Sequence, residues 1–221
     1  MTDHPSPISR SLFLFSILYG GMTTLAGVLG NKQVAVGPLT VEAGIVAFLL
    51  LVVLSSAVAE THGRETANRL VRFGFVPLIV SMVLIRLVLV LPADPAMEPA
   101  RLSAFDTILG QSARLMLAGL IAYGISQTLN VTIFSALRRR EGKMLWLRAG
   151  LASALSQIVD TLLFITISFY GVRPIGDLLV GQMIAKVVLS AVMVPPLIYL
   201  FVGLARRLDG RTTVAPDTSA G

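Results

Sequence analysis

The sequence predicts an all-α polytopic membrane protein with six transmembrane helices and with both termini on the cytoplasmic side. Of its 221 residues, 55% are hydrophobic and only 14% are charged, and the mean hydropathy is +0.82. Soluble domains of this size carry about a quarter charged residues. The sequence also contains six long apolar segments. A helix needs about 20 residues to cross a hydrocarbon core of about 30 Å, and each segment is close to that length or longer.

The six predicted spans follow one another with connections too short to fold into a second domain with its own core. They cover residues 12–29, 39–58, 73–91, 115–137, 149–172 and 178–205. Residues 12–205 are therefore predicted to form one transmembrane domain. An N-terminal tail, residues 1–11, precedes it, and a C-terminal tail, residues 206–221, follows it. The small polar residues of the C-terminal tail predict disorder.

The first three spans contain few charged residues, and each of these has a structural explanation. The first span is an uncharged run of 18 residues, longer than the roughly 7–15 residues of a signal-peptide core. Glu42 is predicted in the first turn of the second helix, where a carboxylate suits the helix dipole. Arg86, near the outer end of the third span, can extend to the headgroups. Residues 102–109 have the spacing of a short helix on the outer face, which is either a lid or an ordinary connection.

The cations are unequally divided between the two sides of the predicted bundle, and this predicts the orientation. Of the 18 lysines and arginines, 12 lie in the tails and in the second and fourth connections, and the alternate side holds 4. By the positive-inside rule, both tails are cytoplasmic. The arginines at 138–140 are interpreted as an anchor at the lipid surface rather than as a nucleic-acid contact.

The residue types that are missing exclude several classes of function. The sequence has no cysteine and only two histidines, His4 and His62. Thiolate chemistry, iron–sulfur clusters and cysteine-ligated zinc or haem are therefore excluded, and a buried pair of histidine ligands is not expected. No metal, cofactor or catalytic residue is predicted.

Polar side chains inside the last three spans are the candidate functional groups. They are Gln127 and Asn130 in the fourth span, Gln157 and Asp160 in the fifth, and Lys186 in the sixth. A charged residue at mid-helix costs about 2.5–3.5 kcal/mol on insertion scales, so these side chains are predicted to face the bundle interior.

The fourth and fifth spans also share a repeat. Ser-Gln-x-x-Asn-x-x-x-Phe at 126–134 is echoed by Ser-Gln-x-x-Asp-x-x-x-Phe at 156–164. Consecutive helices run antiparallel, so the copies are related by an inverted pseudo-twofold, and their polar groups meet near the bilayer midplane. Two interpretations follow, a ligand site or hydrogen bonds that only join helices, with Asp160 and Lys186 as a buried ion pair.

These same residues resemble the queuosine precursor transporter family, which is also described as a family of vitamin uptake transporters. The resemblance covers roughly residues 30–200. It is carried by the paired Ser-Gln motifs, by Trp146 between them, and by Asn31-Lys32, Glu60-x-x-Gly63 and Lys186. The sequence departs from the family pattern at two positions, where Ser56 and Asn130 stand in place of expected aspartates. This weakens any argument for proton coupling through those positions.

The resemblance implies a transporter of the bacterial inner membrane that imports 7-cyano-7-deazaguanine or its aminomethyl relative by alternating access. Asp160 would accept hydrogen bonds from the guanine-type edge, Gln127 or Gln157 would complete the edge, and Phe134 or Phe164 would stack on the base. Asn130 and Lys186 complete the predicted substrate site. The expected partners are a purine-like small molecule and the lipid bilayer, without nucleic acid.

Two other functions stay open at this point, and so does the oligomeric state. The chain could be the substrate-binding subunit of an energy-coupling-factor importer, which depends on a separate ATPase module. An intramembrane enzyme is disfavoured, since Asp160 has no second intramembrane carboxylate and Ser126 and Ser156 have no intramembrane histidine as base. Glycines 20, 21, 27 and 30 would permit close helix contact within one chain or in a homo-oligomer.

Overall fold

The computed structural model describes residues 8–36, 39–110, 113–141, 144–172 and 174–210. In these ranges the chain forms seven α-helices and a two-stranded antiparallel hairpin. The elements are α1 (Arg10–Leu29), β1 (Gln33–Val36), β2 (Leu39–Glu42), α2 (Ile45–His62), α3 (Arg64–Val90), α4 (Pro99–Leu109), α5 (Ala113–Glu141), α6 (Leu145–Phe169) and α7 (Gly176–Gly210).

Six of these helices are long and apolar enough to cross a membrane, which confirms the predicted all-α polytopic fold. They are α1, α2, α3, α5, α6 and α7. The remaining helix, α4, has 11 residues and is too short to cross. It contains the residues 102–109 that were predicted to form a short helix, and none of its side chains is buried.

The second span begins later than predicted, because residues 39–42 form a strand. Strand β2 pairs with β1, and Glu42 lies opposite Gln33. The prediction that Glu42 lies in the first turn of a helix was therefore wrong. A short apolar run rich in β-branched residues suits a strand as well as a helix, so its hydrophobicity alone could not separate the two.

Several residues predicted to lie in connections belong to helices instead. Gly63 alone joins α2 to α3, with a φ of 87° that suits glycine. The arginines 64, 69 and 72 therefore lie on α3 rather than in a loop. The last helix was predicted to end at residue 205, but it continues to Gly210. Helices extend past the apolar window because their polar ends stay helical beyond the hydrocarbon core. Residues 1–7 and 211–221, most of the two predicted tails, lie outside the described residues.

The bundle is built around α2, which has the largest buried share of the six long helices. By contrast, α3 exposes a row of apolar side chains, including Val76, Val80 and Leu87, as a surface in lipid does. Helices α1, α3 and α5 approach closely at Gly74, where a Cβ atom would overlap the Tyr19 ring and the Tyr123 hydroxyl group.

The two ends of the bundle are distinct and serve as references below. At the terminal end, Asp209 near the end of α7 accepts hydrogen bonds from the Ser11 backbone N–H (3.0 Å) and hydroxyl (2.7 Å) at the start of α1. The first and last described helices therefore begin and end side by side. The opposite end, called the hairpin end, holds the β-hairpin, α4 and the last turn of α1.

Candidate functional site

A buried ion pair joins the last three long helices. The Lys186 Nζ atom of α7 lies 3.3 Å from Oδ2 of Asp160 on α6, and the Ser126 hydroxyl of α5 donates to Oδ1 at 3.2 Å. Asp160 is 6% exposed and Lys186 is 8% exposed. Removing such ions from water costs several kcal/mol each, so the pair persists only because each charge has a partner. The ion pair predicted from the sequence is therefore present in the structure.

The pair forms part of the lining of a cavity of about 380 Å³. The cavity extends from the hairpin end, where Asn31, Gln33 and Glu42 line it, to Asp160 and Lys186 in the middle of the bundle. Its size is that of a pocket for one small molecule.

The walls of the cavity are mainly apolar and carry four aromatic rings. These belong to Phe48 of α2, Tyr123 of α5, and Phe164 and Phe169 of α6. An apolar, aromatic wall with a few polar groups in fixed positions is typical of a site for a flat organic ligand. The polar groups fix the ligand's orientation, and the rings supply contact area.

Gln127 and Asn130 face α1 and α2 rather than the cavity. The Gln127 Oε1 atom accepts hydrogen bonds from the Tyr19 and Ser55 hydroxyls at 3.5 and 3.4 Å. The Asn130 Nδ2 atom donates to the Ser55 and Ser56 hydroxyls, each at 3.1 Å. Hydrogen bonds of this kind between membrane helices contribute about 0.6 kcal/mol each on average. The arrangement of these two side chains matches the interpretation in which polar groups join helices.

The other predicted site residues divide between the cavity and the terminal half of the bundle. Phe164 lines the cavity with Asp160 and Lys186. Gln157 is fully buried and does not line the cavity. Phe134 is also fully buried, and the Arg148 guanidinium lies 4.6 Å from the centre of its ring. The structure therefore brings three of the seven predicted site residues together at the cavity.

Two features of the site were not anticipated from the sequence. Tyr123 lines the cavity and donates to the Tyr19 hydroxyl at 3.0 Å. Its position four residues before Gln127, on the same helix face, was a usable signal. Arg148 was counted among the cations of the fourth predicted connection, but it lies on α6, is 1% exposed and pairs with Glu60 of α2. Arg148 follows closely after the charged end of α5 in the sequence, so it was grouped with that connection. No sequence pattern shows that α2 packs against this part of α6.

The comparisons with known proteins agree with this architecture. The family described as "Putative vitamin uptake transporter" matches residues 42–201. A "Probable queuosine precursor transporter" of Bacillus subtilis (strain 168) is 32% identical over 157 residues, which cover 70% of this chain and 68% of that protein. No solved structure matches the chain significantly. With six apolar helices and a family match over most of its length, the chain belongs to the vitamin uptake transporter family and is a membrane transporter, not an enzyme.

Proposed function

We propose that this chain imports a queuosine precursor, 7-cyano-7-deazaguanine or its aminomethyl relative, across the bacterial cytoplasmic membrane. The observation that carries the proposal is the cavity, whose aromatic walls end on the Asp160–Lys186 ion pair. The Bacillus relative, described as a "Probable queuosine precursor transporter", supports the substrate class.

The charged pair has the complementary groups for the polar edge of a guanine-type base. That edge presents two N–H donors beside a carbonyl acceptor. The Asp160 carboxylate would accept from the donors, and the Lys186 ammonium would donate to the carbonyl oxygen. This second role was predicted for Gln127 or Gln157, but we assign it to Lys186 because Lys186 lines the cavity and the two amides do not. Phe164 and Tyr123 would contact the faces of the base.

The same geometry supports alternating access around the ion pair. The cavity reaches the pair from the hairpin end, and the long helices are packed together on the other side of it. A substrate that bonds to Asp160 competes with Lys186 and Ser126 for the carboxylate, which loosens the contact between α6 and α7. A ligand shifts a conformational equilibrium only through such differential contacts.

The test is uptake of radiolabelled 7-cyano-7-deazaguanine into proteoliposomes that contain this protein alone. We expect saturable uptake, with no ATPase module present. We expect Asp160→Asn to weaken the apparent affinity at least about tenfold, which corresponds to about 1.4 kcal/mol. The matched control is Asp106→Asn, which changes an exposed aspartate on α4.

Two outcomes would contradict the proposal. Normal affinity in a folded Asp160→Asn protein would exclude direct contact between this carboxylate and the substrate. Substrate binding without uptake by the wild-type protein would indicate a binding subunit of an energy-coupling-factor importer.

A further inference from the structure

The polar stripe of the bundle does not end at the Asp160–Lys186 pair but continues toward the terminal end. Ser153 and Gln157 of α6 and Ser190 of α7 are fully buried. Both polar atoms of the Gln157 amide and both serine hydroxyls lack a hydrogen-bond partner among the described residues. Buried polar groups are nearly always bonded in native proteins, so a group of unbonded ones requires an explanation.

The helix geometry places these residues at neighbouring depths, on the terminal side of the Asp160–Lys186 pair. Helices α6 and α7 run antiparallel and meet where Asp160 contacts Lys186. Gln157 and Ser190 each lie about one turn from that contact in the terminal direction, and Ser153 lies about one further turn along α6. Asn130 lies one turn from Ser126 on α5 in the same terminal direction, and its buried Oδ1 atom also has no partner among the described residues. We call Asn130, Ser153, Gln157 and Ser190 the lower polar stripe.

A second ion pair, formed by a buried arginine and a partly buried glutamate, lies at the terminal end of this stripe. Arg148 of α6 is 1% exposed and is hydrogen-bonded to the carboxylate of Glu60 on α2, and its guanidinium lies over the ring of Phe134 on α5. Arg148 lies twelve residues before Asp160 on α6, about 18 Å along the helix. The lower polar stripe therefore occupies the space between two ion pairs.

We propose that the lower polar stripe is the terminal half of the transport path, closed in this conformation, and that the Glu60–Arg148 pair is its gate. This rests on the alternating-access part of the proposed function. The cavity forms the path on the hairpin side of Asp160 and Lys186, and the stripe forms it on the other side. When Glu60 and Arg148 separate, water and the polar edge of the substrate reach Ser153 and Gln157, whose side chains then gain partners.

The gate can be tested by thiol labelling, because the sequence contains no cysteine that would have to be removed. Ser153→Cys places a thiol of nearly the same size in the stripe. The matched control, Ala152→Cys, lies one residue away and is equally buried, but belongs to the hydrophobic core. The probe is the membrane-impermeant reagent 2-(trimethylammonium)ethyl methanethiosulfonate, applied to oriented membrane vesicles. Arg207→Cys and Asn31→Cys, both at exposed positions, identify the terminal and hairpin faces.

We expect the thiol at position 153 to react slowly from the terminal face and to react faster once Glu60→Gln is added. The expected increase is at least about tenfold, the change that about 1.4 kcal/mol of destabilisation of the closed form produces. If Glu60→Gln lowers folded yield, the double change Glu60→Gln and Arg148→Met removes both charges and carries the same expectation. Ala152→Cys should stay unreactive in every background.

Equal labelling at positions 152 and 153 would overturn the gate, whether both stay protected or both become reactive. The measurement needs no substrate. If the protein transports another molecule, the uptake test therefore fails, but the labelling experiment still tests the gate.

Discussion

At the scale of single residues, the Asp160 carboxylate has one structural role in the bundle and one proposed role as a ligand group, and experiments can separate the two. One oxygen is held by Lys186 and the other by Ser126, so the carboxylate joins three helices. The same carboxylate lines the cavity and is therefore available to a ligand. A residue with only the first role could be replaced together with its partner without loss of transport.

Replacing the members of the ion pair one at a time and together tests which role dominates. We expect Lys186→Met and Asp160→Asn each to destabilise the folded protein by about 3–5 kcal/mol, because each leaves a buried polar partner unpaired. The double variant should recover most of this loss, measured as thermal stability in detergent, but should remain without uptake. A double variant with full uptake would show that the pair only stabilises the bundle.

Gly74 offers a second test, of close helix packing. A Cβ atom there would meet the Tyr19 ring and the Tyr123 hydroxyl group, whereas a Cβ atom at Gly21 would meet nothing within 4 Å. Gly74→Ala should therefore cost about 1–3 kcal/mol of stability. Gly21→Ala should be neutral or stabilising by up to about 1 kcal/mol, since alanine favours a helix more than glycine does. Equal thermal stability of the two variants would contradict this packing.

The sequence identified Asp160 and Lys186 because charged groups are rare inside apolar spans, but it could not assign the amides. Gln127 and Asn130 share a helix face, and helical spacing shows this much. Which helix packs against that face depends on the tertiary arrangement, and here it is α2, with Ser55 and Ser56. Ser56 and Asn130, the two departures from the family pattern, are thus hydrogen-bonded to each other as a neutral pair.

At the scale of secondary-structure elements, the ends of α1, α2 and α7 are joined by one hydrogen-bonded cluster. Asp209 accepts from the Ser11 backbone and hydroxyl, and the His62 Nε2 atom lies 3.4 Å from Asp209 Oδ2. The Ser9 hydroxyl lies 2.7 Å from the same histidine nitrogen. A carboxylate at the start of α1 also interacts favourably with the helix dipole. The last turn of α7 is therefore part of the fold, although its composition predicted a tail.

We expect Asp209→Ala to lower stability by about 1–3 kcal/mol, because the donors of Ser11 lose a charged acceptor. The control is Glu65→Ala, which removes an exposed ion pair with Arg69 that contributes at most about 1 kcal/mol. Thermal unfolding of the two purified variants measures the difference. If both lose the same amount, the cluster adds nothing beyond a surface ion pair.

The existence and order of the six long helices followed from hydropathy, but their ends did not. Hydropathy reports the part of a helix that lies in lipid, and α3 begins nine residues before its predicted span because its first turns carry arginines. The hairpin was missed for another reason, since β2 is a short run directly before the apolar helix α2, and a short apolar run does not distinguish a strand from a helix.

At the scale of the whole molecule, the equivalent residues of the inverted repeat in α5 and α6 have different hydrogen-bond partners. Ser126 bonds to Asp160 across the two helices, but the Ser156 hydroxyl bonds within α6 and Asn130 bonds to α2. Asp160 and Phe164 of the α6 copy therefore line the cavity, whereas Gln127 and Asn130 of the α5 copy bond to α1 and α2. A sequence repeat predicts equivalent depths, whereas the neighbouring helices that each copy contacts decide the chemistry of its side chains.

The whole-molecule arrangement also makes the orientation in the membrane testable. The start of α1 and the end of α7 lie on one face of the bundle, where Ser11 bonds to Asp209. Arginines 10, 64, 69, 72, 148, 206 and 207 lie toward that end, whereas Lys32, Arg101 and Arg114 lie toward the hairpin end. By the positive-inside rule, we therefore expect the terminal end to lie in the cytoplasm.

We expect a green fluorescent protein fused after the last residue to fluoresce, because it folds in the cytoplasm. Alkaline phosphatase inserted after Asp106 in α4 should be active, because it requires the outer side, and the same enzyme inserted after Arg140 should be inactive. These three positions test both faces of the bundle and an even number of spans. An active phosphatase after Arg140 with an inactive one after Asp106 would invert the orientation. In that case the cavity would open to the cytoplasm, and the Glu60–Arg148 gate would face the outside.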